Sequence, residues 1–118
     1  MDALGIAASG MQAASSMLGA TANNLANSDS PGYRATRVNL ASLQGGGVTA
    51  GNVSQDPTPG PIQPDGKEGS NVDPAREAIN LTRAKVLYSA NAAVYRMADR
   101  MTGTLLDVMD TDRRDHKS

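Results

Sequence analysis

The chain has 118 residues, a formal net charge of −1, and no Cys, Trp or Phe. That length allows one domain at most. The lack of cysteine excludes disulfides and thiolate metal sites, and the thinly spread Lys and Arg exclude the clustered cationic surface that nucleic acid needs.

The apolar content is carried largely by Ala, Leu, Val and Met. Such side chains pack well between close helices but fill a globular core poorly. Below roughly 70–80 ordered residues a single core supplies only ~3–5 kcal/mol. The missing burial is therefore expected from neighbouring subunits. No run approaches the ~18 apolar residues of a membrane span, so no membrane insertion is expected. The stretch from Met1 to Leu4 carries no basic region, and Ser9, Gly10 and Gln12 interrupt the apolar residues that follow. It does not read as a cleaved signal peptide.

In chain order, the first element is a helix from about Ala3 to Asn27. Leu4, Met11, Leu18 and Leu25 recur every seven residues, with Ala7, Ala8, Ala14, Ser15, Thr21 and Ala22 between them. This is a heptad stripe of large residues alternating with small ones. Gly5, Gly10 and Gly19 weaken the helix by roughly 1 kcal/mol each, so it should form fully only when packed. Asn23, Asn24 and Asn27 at its end are poor helix formers. Either the C-terminus frays there, or the amides bond across a helix interface and fix its register, as a buried Asn does in a coiled coil. Ser28-Asp29-Ser30-Pro31-Gly32 then breaks the helix. Pro31 suits position i+1 of a type II turn and Gly32 supplies the positive φ at i+2. Tyr33 follows, placed to fold back onto the helix end.

Residues 34–70 read as an irregular Gly/Pro-rich linker, largely mobile in the free monomer. Thr36, Val38 and Leu40 alternate with Arg37 and Asn39, so at most a short strand or two is expected. Gly45-Gly46-Gly47 and Pro57, Pro59, Pro61 and Pro64 favour turns and extended backbone.

Residues 71–110 contain the strongest helix. Asp73 is an N-cap, Pro74 sits at N1, and Glu77 favours the positive end of the dipole. Two stripes follow in alternating steps of three and four. One is Leu81, Ala84, Tyr88, Asn91, Tyr95, Ala98, Thr102 and Leu105. The other is Leu87, Ala90, Val94, Met97, Met101, Thr104 and Val108. Together they exceed what one partner helix can cover, so this helix needs at least two neighbours. Residues 111–118 are charged and aperiodic and read as a disordered tail. The fold class expected is all-α, with an N-terminal and a C-terminal helix pairing as an antiparallel hairpin or coiled-coil-like bundle.

Catalytic constellations are missing. His116 is the only histidine and lies in the tail; without Cys, no nucleophile–imidazole triad can be assembled on an ordered element. Asp107, Asp110 and Asp112 lack EF-hand spacing. The triple glycine is not followed by the Lys-Ser/Thr of a phosphate loop. No enzyme activity, metal or cofactor is expected.

The stretch from Ala22 to Tyr33, Ala-Asn-Asn-Leu-Ala-Asn-Ser-Asp-Ser-Pro-Gly-Tyr, resembles the ANNLAN-x-x-T-P-G-Y signature of flagellar rod and hook proteins. Ala7-Ala8-Ser9-Gly10-Met11 resembles the AASGM segment of that family. Asn71-Val72-Asp73, Arg83-Ala84 and Tyr88-Ser89-Ala90-Asn91 resemble its C-terminal pattern, with Lys85-Val86-Leu87 as a departure from the commoner spelling. Gln55 to Gly60 resembles the DPTPG segment of proximal rod proteins. The large β-rich insert of distal rod and hook proteins is missing. The resemblance implies a structural component of the basal-body rod, in the periplasm. Such a protein is exported through the flagellar type III apparatus without a cleaved signal, and assembles helically with itself and related axial subunits. It also implies that Leu4, Met11, Leu18 and Leu25 face the C-terminal helix, with Leu87, Val94 and Met101 as core candidates there. Asn24, Asn27 and Tyr33 would fix the turn and the subunit contact. A second reading, from another class, is a secreted helical adaptor or regulator of flagellar export.

Overall fold

The computed structural model describes residues 2–116. It contains helix α1 (Ala3–Ala26), strands β1 (Thr36–Ser42) and β2 (Val48–Gln55), and helix α2 (Pro74–Asp115). The molecule is a rod, 86 × 24 × 14 Å.

α1 opens on Asp2, whose carboxylate accepts from the Gly5 N–H at 2.8 Å. It ends one residue short of Asn27, where the chain enters the Pro31-Gly32 turn. Gly32 has φ +70° and the Tyr33 N–H closes the turn on the Ser30 carbonyl at 3.2 Å, the geometry that position i+2 of a type II turn needs.

The middle segment holds the short strand or two that the sequence allowed, but more ordered than expected. β1 and β2 form an antiparallel hairpin in place of an irregular linker. Its tip holds Gly45, Gly46 and Gly47 at φ +88°, +104° and +95°, a run that only glycine tolerates. The hairpin base is tied down by contacts distant in sequence. Ala35 is fully buried; its N–H donates to Asn71 Oδ1 at 2.6 Å and its carbonyl accepts from the Asp56 N–H at 2.8 Å. Val48 at the start of β2 donates its N–H to Ser9 Oγ on α1 at 3.1 Å.

α2 starts as expected, with Asp73 capping the Ala75 N–H at 3.1 Å and Pro74 in the first turn. It runs to Asp115, five residues beyond the expected end at Asp110, so residues 111–115 are helical and not a disordered tail. The added turn is supported by an Asp110–Arg114 pair at 3.0 Å and an Asp112–His116 contact at 3.4 Å. Arg113 and Arg114 also place positive charge at the negative end of the helix dipole. Residues 117 and 118 of the expected tail, like residue 1, lie outside the described residues.

α1 lies along the first half of α2. Gly10 meets Asn91, while Met17 and Thr21 share a cleft with Glu77, Asn80 and Arg83. A helix rises ~1.5 Å per residue, so α2 outruns α1, and residues 99–116 are all exposed. Among the described residues the buried apolar side chains are Ala7, Ala13, Ala14, Ala35, Ala84 and Val72. Each alanine removes little surface from water, at about 25 cal/mol per Å², so the monomer is built on close approach more than on apolar volume.

Candidate assembly interface

The contact face of α1 is a row of small residues. Ala7, Gly10, Ala14, Thr21 and Asn24 are buried, with half-buried Met17 between them. They follow the three-and-four spacing of a heptad seam. Leu4, Met11, Leu18 and Leu25 lie beside that seam, half-buried. A heptad has more than one periodic row, and the small row allows the closer packing. At Gly10 an added Cβ would stand 2.5 Å from Asn91 Cγ, well inside van der Waals contact. Asn91 is held there by donating to the Leu87 carbonyl at 2.8 Å.

The end of α1 is an amide clamp. Asn24, 1% exposed, accepts the Thr36 N–H at 2.8 Å and donates to the Thr36 carbonyl at 2.9 Å. Its side-chain amide thus acts as a strand partner for the first residue of β1. Tyr33 donates its hydroxyl to Asn24 Oδ1 at 2.9 Å and accepts from Asn23 Nδ2 at 2.8 Å. Asn27 donates to the Asn23 carbonyl at 2.9 Å and accepts from Ser30 Oγ at 2.9 Å. The three amides close the turn and anchor the hairpin. Neither fraying nor an amide bond across the helix interface describes them. Pro31 and Gly32 are exposed, and the Gly32 N–H donates to the Glu68 carbonyl at 3.0 Å.

Sequence reasoning missed an ion cluster behind this clamp. Arg37 on β1 reaches Glu77 Oε1 on α2 at 2.7 Å and Asp56 Oδ2 at 3.5 Å. Glu77 is fully buried, and its Oε2 has no partner among the described residues. The Asp56 carboxyl is held below its ordinary value. The cause is first the Thr58 backbone N–H, which donates to Oδ1 at 2.9 Å, then the Thr58 hydroxyl and the Arg37 guanidinium. Glu77 followed from the helix-start pattern, but nothing periodic linked it to Arg37, forty positions away. Asn71 is a second missed connector. Its Nδ2 donates to the Asp56 and Thr58 carbonyls at 3.0 and 2.8 Å.

On α2, Ala84 is buried and Asn91 half-buried against α1, while the other expected interface residues stay largely open. Leu87, Tyr88, Val94, Tyr95, Met101 and Leu105 are all exposed, Met101 at 70%. Among the described residues there is no cluster of metal-binding side chains and no helix long and apolar enough to cross a membrane.

The molecule is thus a rod of two long helices, with an amide clamp at the end of α1 and an apolar stripe on α2 that its own chain leaves exposed. Residues 4–34 match the family described as Flagella basal body rod protein, and residues 68–108 match the one described as Flagellar basal body rod FlgEFG protein C-terminal. The chain belongs to the flagellar basal body rod protein family. Membership carries a structural role at the basal body and assembly with other axial subunits. The two matched segments touch each other: Gly10 meets Asn91, the Gly32 N–H donates to the Glu68 carbonyl, and the Asn71 N–H donates to the Tyr33 carbonyl. No curated protein matches the sequence significantly.

Proposed function

We propose that this protein is a subunit of the rod within the periplasm, exported through the type III apparatus and assembled helically with itself and related axial subunits. In that state α1 and α2 act as one antiparallel helical hairpin. The small-residue seam holds the two helices together, and the larger residues beside it face neighbouring subunits. Leu4, Met11, Leu18 and Leu25 are placed for one neighbour, and Leu87, Val94, Tyr95, Met101 and Leu105 for another. Asn24, Asn27 and Tyr33 set the angle at which the hairpin leaves the helical pair. Within the family we read it as a proximal rod subunit, nearest to FlgC. Support for this comes from the Gln55 to Gly60 segment and from a middle region that holds one hairpin and no large insert.

One observation carries the proposal: the apolar stripe Val94–Met101–Val108 is exposed on a formed helix. A helix end of this length is marginal in water without a covering partner. Gene deletion, with swimming assays and electron microscopy of basal bodies, tests the function. Deletion should remove the rod and motility, and wild type but not Leu25→Asp should restore both. Complete basal bodies and swimming cells after deletion would overturn the rod reading in favour of an adaptor.

A further inference from the structure

The distal half of α2 carries an exposed apolar stripe. Met97, Met101 and Val108 are 58%, 70% and 60% exposed, because α1 covers the adjacent face of the first half of α2, around Ala84 and Asn91, and leaves residues 99–116 bare. Val94, Met101 and Val108 recur every seven residues, and so do Ala90, Met97 and Thr104, offset by three. These are the two core rows of a two-stranded seam. Arg100 and Asp107 directly precede Met101 and Val108, on the flank that sets partner and orientation, and neither makes an ion pair among the described residues.

We infer that this stripe pairs with the same stripe of a second copy of the chain, in antiparallel register about a two-fold axis near residues 102 and 103. In that register Val108 meets the Met97 position of the second copy and Met101 meets Thr104. The Arg100 flank then faces the Asp107 flank twice, once on each side of the axis. Parallel pairing is disfavoured by the same residues. It would set Asp107 against Asp112 of the other copy, two carboxylates in contact, and leave Arg100 beside Leu105. An isologous contact of this kind closes on itself and cannot propagate. It is therefore a state of the free chain distinct from a helical axial contact. The inference depends on α2 being formed and is independent of the rod reading, since it is tested on the purified chain alone.

The native chain has no cysteine, which makes crosslinking clean. Full-length Met97→Cys and Val108→Cys variants, mixed and mildly oxidised, should give a disulfide dimer joining 97 to 108. Met97→Cys alone should not, because the two positions lie about 16 Å apart along the helix. In sedimentation equilibrium the wild type should dimerise with concentration. Arg100→Asp and Asp107→Arg should each weaken the dimer at least about tenfold by opposing like charges, and the double exchange should restore it. These positions are exposed, and unchanged circular dichroism of the diluted variants confirms folding. A concentration-independent monomer, self-crosslinking of Met97→Cys, or a double exchange that fails to restore pairing would overturn the inference. So would a monomer that uses this stripe only to capture a different axial subunit.

Discussion

The side-chain amide of Asn91 rests on the bare backbone of Gly10, where an added Cβ would stand 2.5 Å from Asn91 Cγ. This contact joins two segments about eighty residues apart and lets the two helices approach closely there. Gly10→Ala gains up to ~1 kcal/mol of helix propensity but forces Asn91 aside, at a cost of about 1–3 kcal/mol. Its thermal midpoint should fall, and Asn91→Ala in the same chain should recover part of the loss. Gly19, which has nothing within 4 Å of an added Cβ, is the control. Gly19→Ala should raise the midpoint.

Asn24 binds both the N–H and the carbonyl of Thr36 while accepting from Tyr33. Asn24→Ala leaves the half-buried backbone groups of Thr36 without these partners, at up to roughly 1–3 kcal/mol each. Amide exchange at Thr36 should accelerate well before the helices melt. Asn24→Asp should also destabilise, because a carboxylate replaces the donor to the Thr36 carbonyl.

The Arg37–Glu77 pair crosses from β1 to α2 with the carboxylate fully buried. Arg37→Leu strands that charge, and breaking such a pair costs about 3–5 kcal/mol, comparable with the whole stability of a small core. Urea unfolding should show the variant largely unfolded without denaturant. The double variant Arg37→Leu with Glu77→Leu should regain most of the loss, because no uncompensated charge is left inside.

Asp56 gives the fold an acid limit. Its folded carboxyl titrates below the ordinary value of 3.8, so the folded state favours the anion. The resulting stability is fully present above that value and is lost as pH falls through the lower folded value. Asp56→Asn should therefore lower stability at neutral pH and flatten the decline in the acid range, as read by denaturant midpoints across a pH series.

Both helices, the cap at Asp73 and the Pro31-Gly32 turn were legible in the sequence, because each depends on residues within one or two turns of the chain. The seam was harder. Leu4, Met11, Leu18 and Leu25 and the row Ala7, Gly10, Ala14, Thr21 share the same period, and period alone does not say which row faces the partner. Gly10 against Asn91 decides it, and that contact is tertiary. The hairpin was read only at Thr36, Val38 and Leu40. β2 contains Gly51 and Asn52 and shows little alternation; its order comes from the clamps made by Asn24, Ala35 and Asn71. The last turn of α2 was missed because its support is charge pairing at a spacing of four, with no apolar pattern to mark it. That the larger α2 residues are open to neighbours follows from the two stripes, which one helix cannot cover.

The most direct measurement is the protein content of washed basal bodies purified from cells carrying an epitope-tagged copy of this chain, with the label located by electron microscopy. A fixed number of copies per basal body, with the label on the rod, is the result expected of an axial subunit. A chain absent from complete basal bodies, and recovered only with the export apparatus or in the culture medium, would contradict the account.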